Sequence, residues 1–206
     1  MKHYLLDGRI LMAQYDDLRS FFETHRIVGR KIANIRPACL DYLWHYIEDW
    51  DSAYTSDVGC GIETDGAVCL VFEDGDCCEV EFCGEGPIVL GFNTANWDKY
   101  PAYDGTVYAL HTMFQRCLGH TITAVEFERS EKRMTFPCYR GLSMSEDDEG
   151  VDYIRFVLDD GTHLLMHGVV DWFCVDHCTA DGENVCVPMK DLLDELNEKT
   201  CRYLLE

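Results

Sequence analysis

Two stretches of the chain carry the same order of apolar residues and turn signals, and this recurrence limits the folds open to it more than any other feature. The first reads Arg26-Ile27-Val28-Gly29-Arg30-Lys31-Ile32-Ala33-Asn34-Ile35, the second Arg116-Cys117-Leu118-Gly119-His120-Thr121-Ile122-Thr123-Ala124-Val125. Arginine, glycine and isoleucine keep their places, and the other apolar positions keep their character. Further along each half, Leu70-Val71-Phe72-Glu73-Asp74-Gly75 corresponds to Phe156-Val157-Leu158-Asp159-Asp160-Gly161. Blocks recurring in the same order point to one structural unit used twice.

The unit can be sketched from its periodicities. Tyr15 to His25 places Leu18, Phe21 and Phe22 on one helical face, with acids in the first turn where the helix dipole favours them. Gly29 fits as the helix stop, since glycine tolerates the left-handed conformation found there. Val107, Leu110, Met113 and Phe114 repeat the helical spacing ahead of Gly119. Each helix should feed a strand, with Ile122, Val125 and Phe127 alternating better than Ile32 and Ile35. The Asp-Gly pairs read as hairpin turns. Val68–Phe72 and Cys78–Phe82 flank the first, Ile154–Leu158 and His163–His167 the second, and a further strand follows each, at Ile88–Phe92 and Trp172–Val175. Residues 93–105 look like the joining loop. From Pro188 to Leu205 a terminal helix is expected, with Leu192, Leu193, Leu196, Tyr203 and Leu204 as its apolar stripe. The expected fold is therefore α+β. Two tandem β-rich repeats, each a helix followed by an antiparallel meander, would span residues 1–104 and 105–206. They would pack with pseudo-twofold symmetry, so that each covers the other's bare sheet face, with the C-terminal helix added.

Charge narrows the partners. Lys and Arg total 17 against 38 Asp and Glu, a formal net charge of -21. Nucleic acid is disfavoured because its binding depends on basic side chains displacing phosphate counterions. An anionic membrane surface is disfavoured for the same reason. A basic protein or a cationic ligand would be attracted. The first ten residues show no export signal, since Asp7 and Arg9 break their apolar run. No stretch approaches the roughly 18 apolar residues of a membrane span. The twelve cysteines are accordingly read as reduced thiols in a cytoplasmic protein, several of them filling strand positions as small hydrophobes.

Three groups of residues could carry chemistry. Cys174-Val175-Asp176-His177-Cys178, with Cys186 beyond, holds zinc-type ligands but lacks paired tight spacings. On a strand, Cys174, Asp176 and Cys178 share one face and His177 points away. His163 and His167 would sit roughly 13 Å apart on a strand, too far for one metal. No metal or other cofactor is expected. The third group joins aromatics to acids: Trp44, Glu48, Asp49 and Trp50, together with Trp97 and Asp98. Rings beside carboxylates can stack on a sugar or hold a cation, and paired acids can act as acid and base. These six are the candidate ligand-binding residues. No Gly-x-Ser-x-Gly, phosphate-binding glycine loop or His-Glu-x-x-His occurs, and no catalytic residue is assigned. The expectation is a non-enzymatic interaction protein, of immunity or antitoxin type, that binds a basic partner protein. The alternative is a small-molecule binder or hydrolase using the aromatic and acidic segments.

Overall fold

A computed structural model of the chain describes residues 2–4, 8–12, 15–37, 61–64, 66–82, 88–97, 114–133, 149–169, 172–183 and 185. They form the strands β1 (Lys2–Tyr4), β2 (Ile10–Met12), β3 (Ile32–Pro37), β4 (Gly61–Thr64), β5 (Val68–Phe72), β6 (Cys77–Phe82), β7 (Ile88–Phe92), β8 (Ile122–Arg133), β9 (Glu149–Leu158), β10 (His163–Val169) and β11 (Trp172–Cys178). One α-helix, α1 (Tyr15–Thr24), and a 3-10 turn at Gln115–Cys117 complete them. The strands make two antiparallel sheets, in the orders β1-β2-β7-β6-β5-β3 and β4-β11-β10-β9-β8.

This corrects the expected α+β class. The architecture is mostly β, with a single α-helix among the described residues, and helix-then-meander repeats are not what forms. Ahead of Gly119 the described residues supply only Phe114 and the 3-10 turn, while Val107, Leu110 and Met113 lie outside them. Apolar residues three apart suit a 3-10 turn as well as an α-helix, because its side chains eclipse at that interval. Phe114 and Cys117, three apart, are both buried. Nor does the second sheet consist of later residues alone. β4 joins it beside β11, with Phe173 opposite Thr64. The C-terminal helix expected from Pro188 lies outside the described residues.

The helix α1 buries Leu18, Phe21 and Phe22. Its stop is not Gly29. Ile27 N–H donates to Phe22 O at 3.1 Å, and Arg26 between them has φ 50°. This is the six-to-one bond of a Schellman cap, with arginine in the left-handed position that glycine usually takes. Gly29, at φ 92°, instead turns the chain into a seam between the sheets.

The seam is a short antiparallel ladder. Gly29 N–H donates to Ile122 O (2.8 Å), Ile122 N–H to Arg30 O (2.8 Å), Ile32 N–H to His120 O (3.0 Å) and Gly119 N–H to Ile32 O (2.7 Å). Lys31 pairs with Thr121. It joins the starts of β3 and β8, the edge strands of the two sheets. Unpaired edge groups would otherwise invite pairing with another chain.

Both Asp-Gly pairs sit in hairpins, and both hairpins end on this seam. In the first, Gly75 N–H donates to Phe72 O and Phe72 N–H to Asp76 O; in the second, Gly161 to Leu158 O and Leu158 to Thr162 O. That pattern is a three-residue loop whose glycine sits in the left-handed region, with φ 89° and 86°. Glu73 N–H then donates to Lys31 O, and Asp159 N–H to Thr121 O. A third loop of the same kind, Thr179 to Glu183, closes with Thr179 N–H on Glu183 O. Its Asp181-Gly182 pair is a turn signal of the same strength as the other two.

Register shifts lie just past the seam, between Ile32 and Asn34 and between Ile122 and Ala124. An extra residue inserted there re-aims the strand. This explains why Ile32 and Ile35, three apart, are both buried. One core lies between the sheets and α1. Ile32, Leu70, Phe72, Val80 and Leu90 face Phe156, Leu164, Met166, Phe173 and Val175. The Phe82 and Phe173 rings meet at 5.4 Å, and Phe22 packs edge-on against Phe156 at 5.8 Å.

Phe156→Ala should lower the unfolding free energy by about 3–5 kcal/mol, the cost of truncating a fully buried phenylalanine. Gly119→Ala should cost about 1–2 kcal/mol, from its left-handed backbone alone, since no atom lies within 4 Å of the added methyl. Urea titrations of the two variants measure both. Equal losses would mean that the seam and the core do not differ in this way.

Candidate functional site

The seam collects charge. The first hairpin tip brings Glu73, Asp74 and Asp76 to it, and the second brings Asp159 and Asp160. Arg30 is the hub of the first. Its Nη1 donates to Asp74 Oδ2 at 2.7 Å and Asp76 Oδ2 at 2.8 Å, and its Nε faces the carbonyls of His25 and Arg26 at the end of α1. Its guanidinium lies over the Phe72 and Phe92 rings at 5.2 and 5.0 Å. Lys31 Nζ meets Glu73 at 3.0 Å. Five carboxylates thus stand against two permanent cations.

His120 is the hub of the second tip. Its Nδ1 lies 2.6 Å from Asp159 Oδ1 and its Nε2 3.6 Å from Asp160 Oδ2. Asp160 is oriented by Thr162, whose N–H and hydroxyl both donate to Oδ1, leaving Oδ2 toward the imidazole. Among the described residues, His120, Asp159 and Asp160 are the grouping whose ligand atoms, within 4.8 Å of one another, could share a metal ion. They are side chains exposed or half-exposed, and a proton on His120 completes the same arrangement as an ion pair. The hydrogen bond from His120, then that from Thr121, holds the Asp159 carboxyl below the ordinary carboxylate range. Burial pushes Asp160 up, but hydrogen bonds from Thr162 and the nearby His120 and His177 leave it lowered. Asp76 is lowered by the Asn93 side chain and by Arg30.

The outer face of the first sheet carries a different cluster. β6 is buried on both faces, so its outward residues Cys77, Glu79 and Glu81 are covered. Arg9 Nη1 donates to Glu81 Oε2 at 2.6 Å, and the Thr94 hydroxyl to Glu79 Oε2 at 2.6 Å. Gly91 makes room for them: a methyl group there would overlap Thr94 Oγ1 and the Glu79 carboxylate. Beside these lie Cys69 and Cys77, packed together under Val71 and Ala95.

An open groove of about 750 Å³ runs between α1 and β8 over an apolar floor of Phe22, Val28, Val125 and Phe127. Arg19, Arg26, Glu23 and Glu126 rim it, so it selects neither sign of charge.

Of the six expected ligand-binding residues, Trp44, Glu48, Asp49, Trp50 and Asp98 lie outside the described residues. Trp97 is 43% exposed, with the Arg36 guanidinium 4.9 Å above its ring. Cys174 and Asp176 are half-buried while His177 is buried, and Asp176 Oδ2 meets His167 Nε2 at 3.0 Å. Cys186 is outside the described residues. Sequence reasoning missed the seam grouping because His120 and Asp159 are brought together only when the second hairpin folds back. The signal available was the acid run before Gly161. Compared with protein-family models, curated proteins and solved structures, the chain matches none.

Two histidines give the fold a pH dependence. His163 Nε2 and His177 Nδ1 are buried with no hydrogen-bond partner among the described residues. Burial, then Arg155, lowers the His163 pKa from its ordinary 6.5. Burial also lowers that of His177, against the opposing pull of Asp160. The unfolded chain therefore takes up protons at a pH where the folded one does not. This contribution to stability is present above the ordinary histidine pKa of 6.5 and is lost progressively as pH falls below it. The acids of the seam lose their contribution separately, below the ordinary carboxylate range. Urea midpoints across this range, for wild type and for His163→Leu with His177→Leu, should show the slope flattened in the double variant. In the outer-face cluster, Glu81→Ala removes the 2.6 Å ion pair with Arg9 from a buried site. Loss of one member of such a pair costs about 3–5 kcal/mol, and a urea titration in which Glu81→Ala is neutral would remove Arg9–Glu81 as a structural tie.

Proposed function

We propose that this protein is a non-enzymatic acidic interaction module that binds a basic partner protein, in the manner of an immunity or antitoxin protein masking its target. The observation that carries the reading is the charge of -21 on 206 residues. The hairpin tips support it by gathering Glu73, Asp74, Asp76, Asp159 and Asp160 at one seam, where Arg30 and Lys31 leave them incompletely neutralised. A field of one sign speeds encounter with a partner of the other and falls with ionic strength. A rigid two-sheet scaffold presenting turns is a suitable platform for such contacts, since binding residues are commonly carried on loops held by a rigid frame.

The test is a pull-down from the protein's own cell lysate at two salt concentrations. Raising salt from about 0.1 M to about 1 M shortens the screening length from about 10 Å to about 3 Å. A basic protein should be retained at the lower concentration and released at the higher. Glu73→Gln with Asp74→Asn should slow its association several-fold at low salt and little at high salt, while Asp152→Asn, exposed on β9, should not. If no basic protein is held in a salt-sensitive way, the reading fails.

A further inference from the structure

Cys69 and Cys77 occupy adjacent strands of the first sheet. Cys69 lies opposite Glu79 and Val71 opposite Cys77, so the two cysteines are diagonal neighbours on the outer face. They pack against each other as a buried pair, and the Cys69 thiol donates a hydrogen bond to the Cys77 sulfur. Backbone groups of Ala95 and Asn93 hydrogen-bond to the same sulfur. The loop that supplies them is pinned. Asn93 has φ 55°, its N–H donates to Cys77 O, its Oδ1 accepts from Cys77 N–H at 2.8 Å and its Nδ2 donates to Asp76 at 2.8 Å. A sulfur that collects donors in this way is prepared to carry negative charge.

We propose that Cys69 and Cys77 are a modification site: a hydroperoxide converts the pair into an intramolecular disulfide, with Cys77 attacking and Cys69 resolving. The Cys77 thiolate attacks one peroxide oxygen, the O–O bond breaks, and sulfenic acid forms with release of hydroxide or alkoxide. The Cys69 sulfur then attacks the Cys77 sulfur; the S–S bond forms, the S–O bond breaks, and the hydroxyl leaves as water with the Cys69 proton. Two thiols lose two electrons and two protons, and one peroxide is reduced. The roles follow from the environments. The Cys69 hydrogen bond, with those from the loop, lowers the Cys77 pKa to about 7. The same bond and burial push Cys69 up, while burial, followed by nearby thiols and carboxylates, pushes up Cys78 and Cys117. Cys78 is next in sequence but points into the core, so it is not the partner. Diagonal neighbours on a sheet are spaced about 7–8 Å apart, beyond the roughly 7 Å a disulfide spans without backbone movement, so closing the bond must shift β5 against β6 locally. The closed form is therefore strained and readily reopened by thiols.

Peptide mapping tests this on the full chain. Reduced protein is exposed to hydrogen peroxide, blocked with N-ethylmaleimide, unfolded and cleaved at acidic residues. Glu73, Asp74 and Asp76 lie between the two cysteines, so a bond joins two separate peptides. The expected product is the Cys69–Cys77 pair lacking two hydrogens, lost on dithiothreitol treatment. In Cys69→Ser, Cys77 should stop at sulfenic acid and react with dimedone; in Cys77→Ser, Cys69 should stay reduced. A folded melting curve qualifies each variant, and the wild-type map stands without them. The proposal is overturned if both thiols remain reduced while other cysteines oxidise, if Cys77 oxidises without linking, or if it links to a cysteine other than Cys69.

Discussion

Four backbone hydrogen bonds between residues 29–32 and 119–122 hold the molecule's arrangement together. Each sheet ends there in an edge strand, and each hairpin tip adds one more bond to the same seam, Glu73 to Lys31 and Asp159 to Thr121. The core then closes around it, because Ile32 and Ile122 emerge from the seam fully buried. The bulges that follow turn Ile35 and Val125 back toward that core. The seam thus decides which residues of β3 and β8 point inward, and a ladder out of register there would expose them.

The charged groups around the seam serve it unequally. Arg30 ties three elements: the carbonyl end of α1, the first hairpin tip and the aromatic pair Phe72 and Phe92. A planar guanidinium can stack and form several hydrogen bonds at once, which lysine could not reproduce. The His120 side chain ties the start of β8 to the second hairpin tip, through Asp159 and Asp160. The second hairpin consequently depends more on its own turn bonds, Thr162 to Asp160 and Gly161 to Leu158.

What was legible in the sequence was whatever short range decides. Asp74-Gly75 and Asp160-Gly161 announced hairpins because a left-handed glycine closes such a loop without strain, and the Leu18, Phe21 and Phe22 face announced α1. Less legible was anything that tertiary packing decides. Phe114, helical, and Cys117, at the end of the 3-10 turn that follows it, are both buried, and Ile32 and Ile35 share a face only through a bulge. β4 crosses to the second sheet with no local signal, since pairing beside β11 is a long-range choice. The sulfur pair was hidden for a subtler reason. A two-residue loop at Asp74-Gly75 and the observed three-residue loop differ in register, and only the latter sets Cys69 diagonal to Cys77. Of the aromatic and acidic candidates only Trp97 can be placed, over Arg36.

The acidic composition divides into two populations with different work. Glu79 and Glu81 are buried, held by Thr94 and Arg9, and are unavailable to any partner. Arg9 reaches Glu81 from the segment after Gly8, whose φ of 86° sets the approach to β2. The tip acids are exposed and project the field. Excess like charge also works against the compact state through self-repulsion. Salt therefore acts with opposite signs on the fold and on the proposed binding of a basic partner. Screening relieves repulsion and favours the fold, while it weakens attraction to a cationic partner. In the proposed complex, a loss of binding at higher salt is thereby separable from unfolding, because relief of self-repulsion acts in the opposite direction.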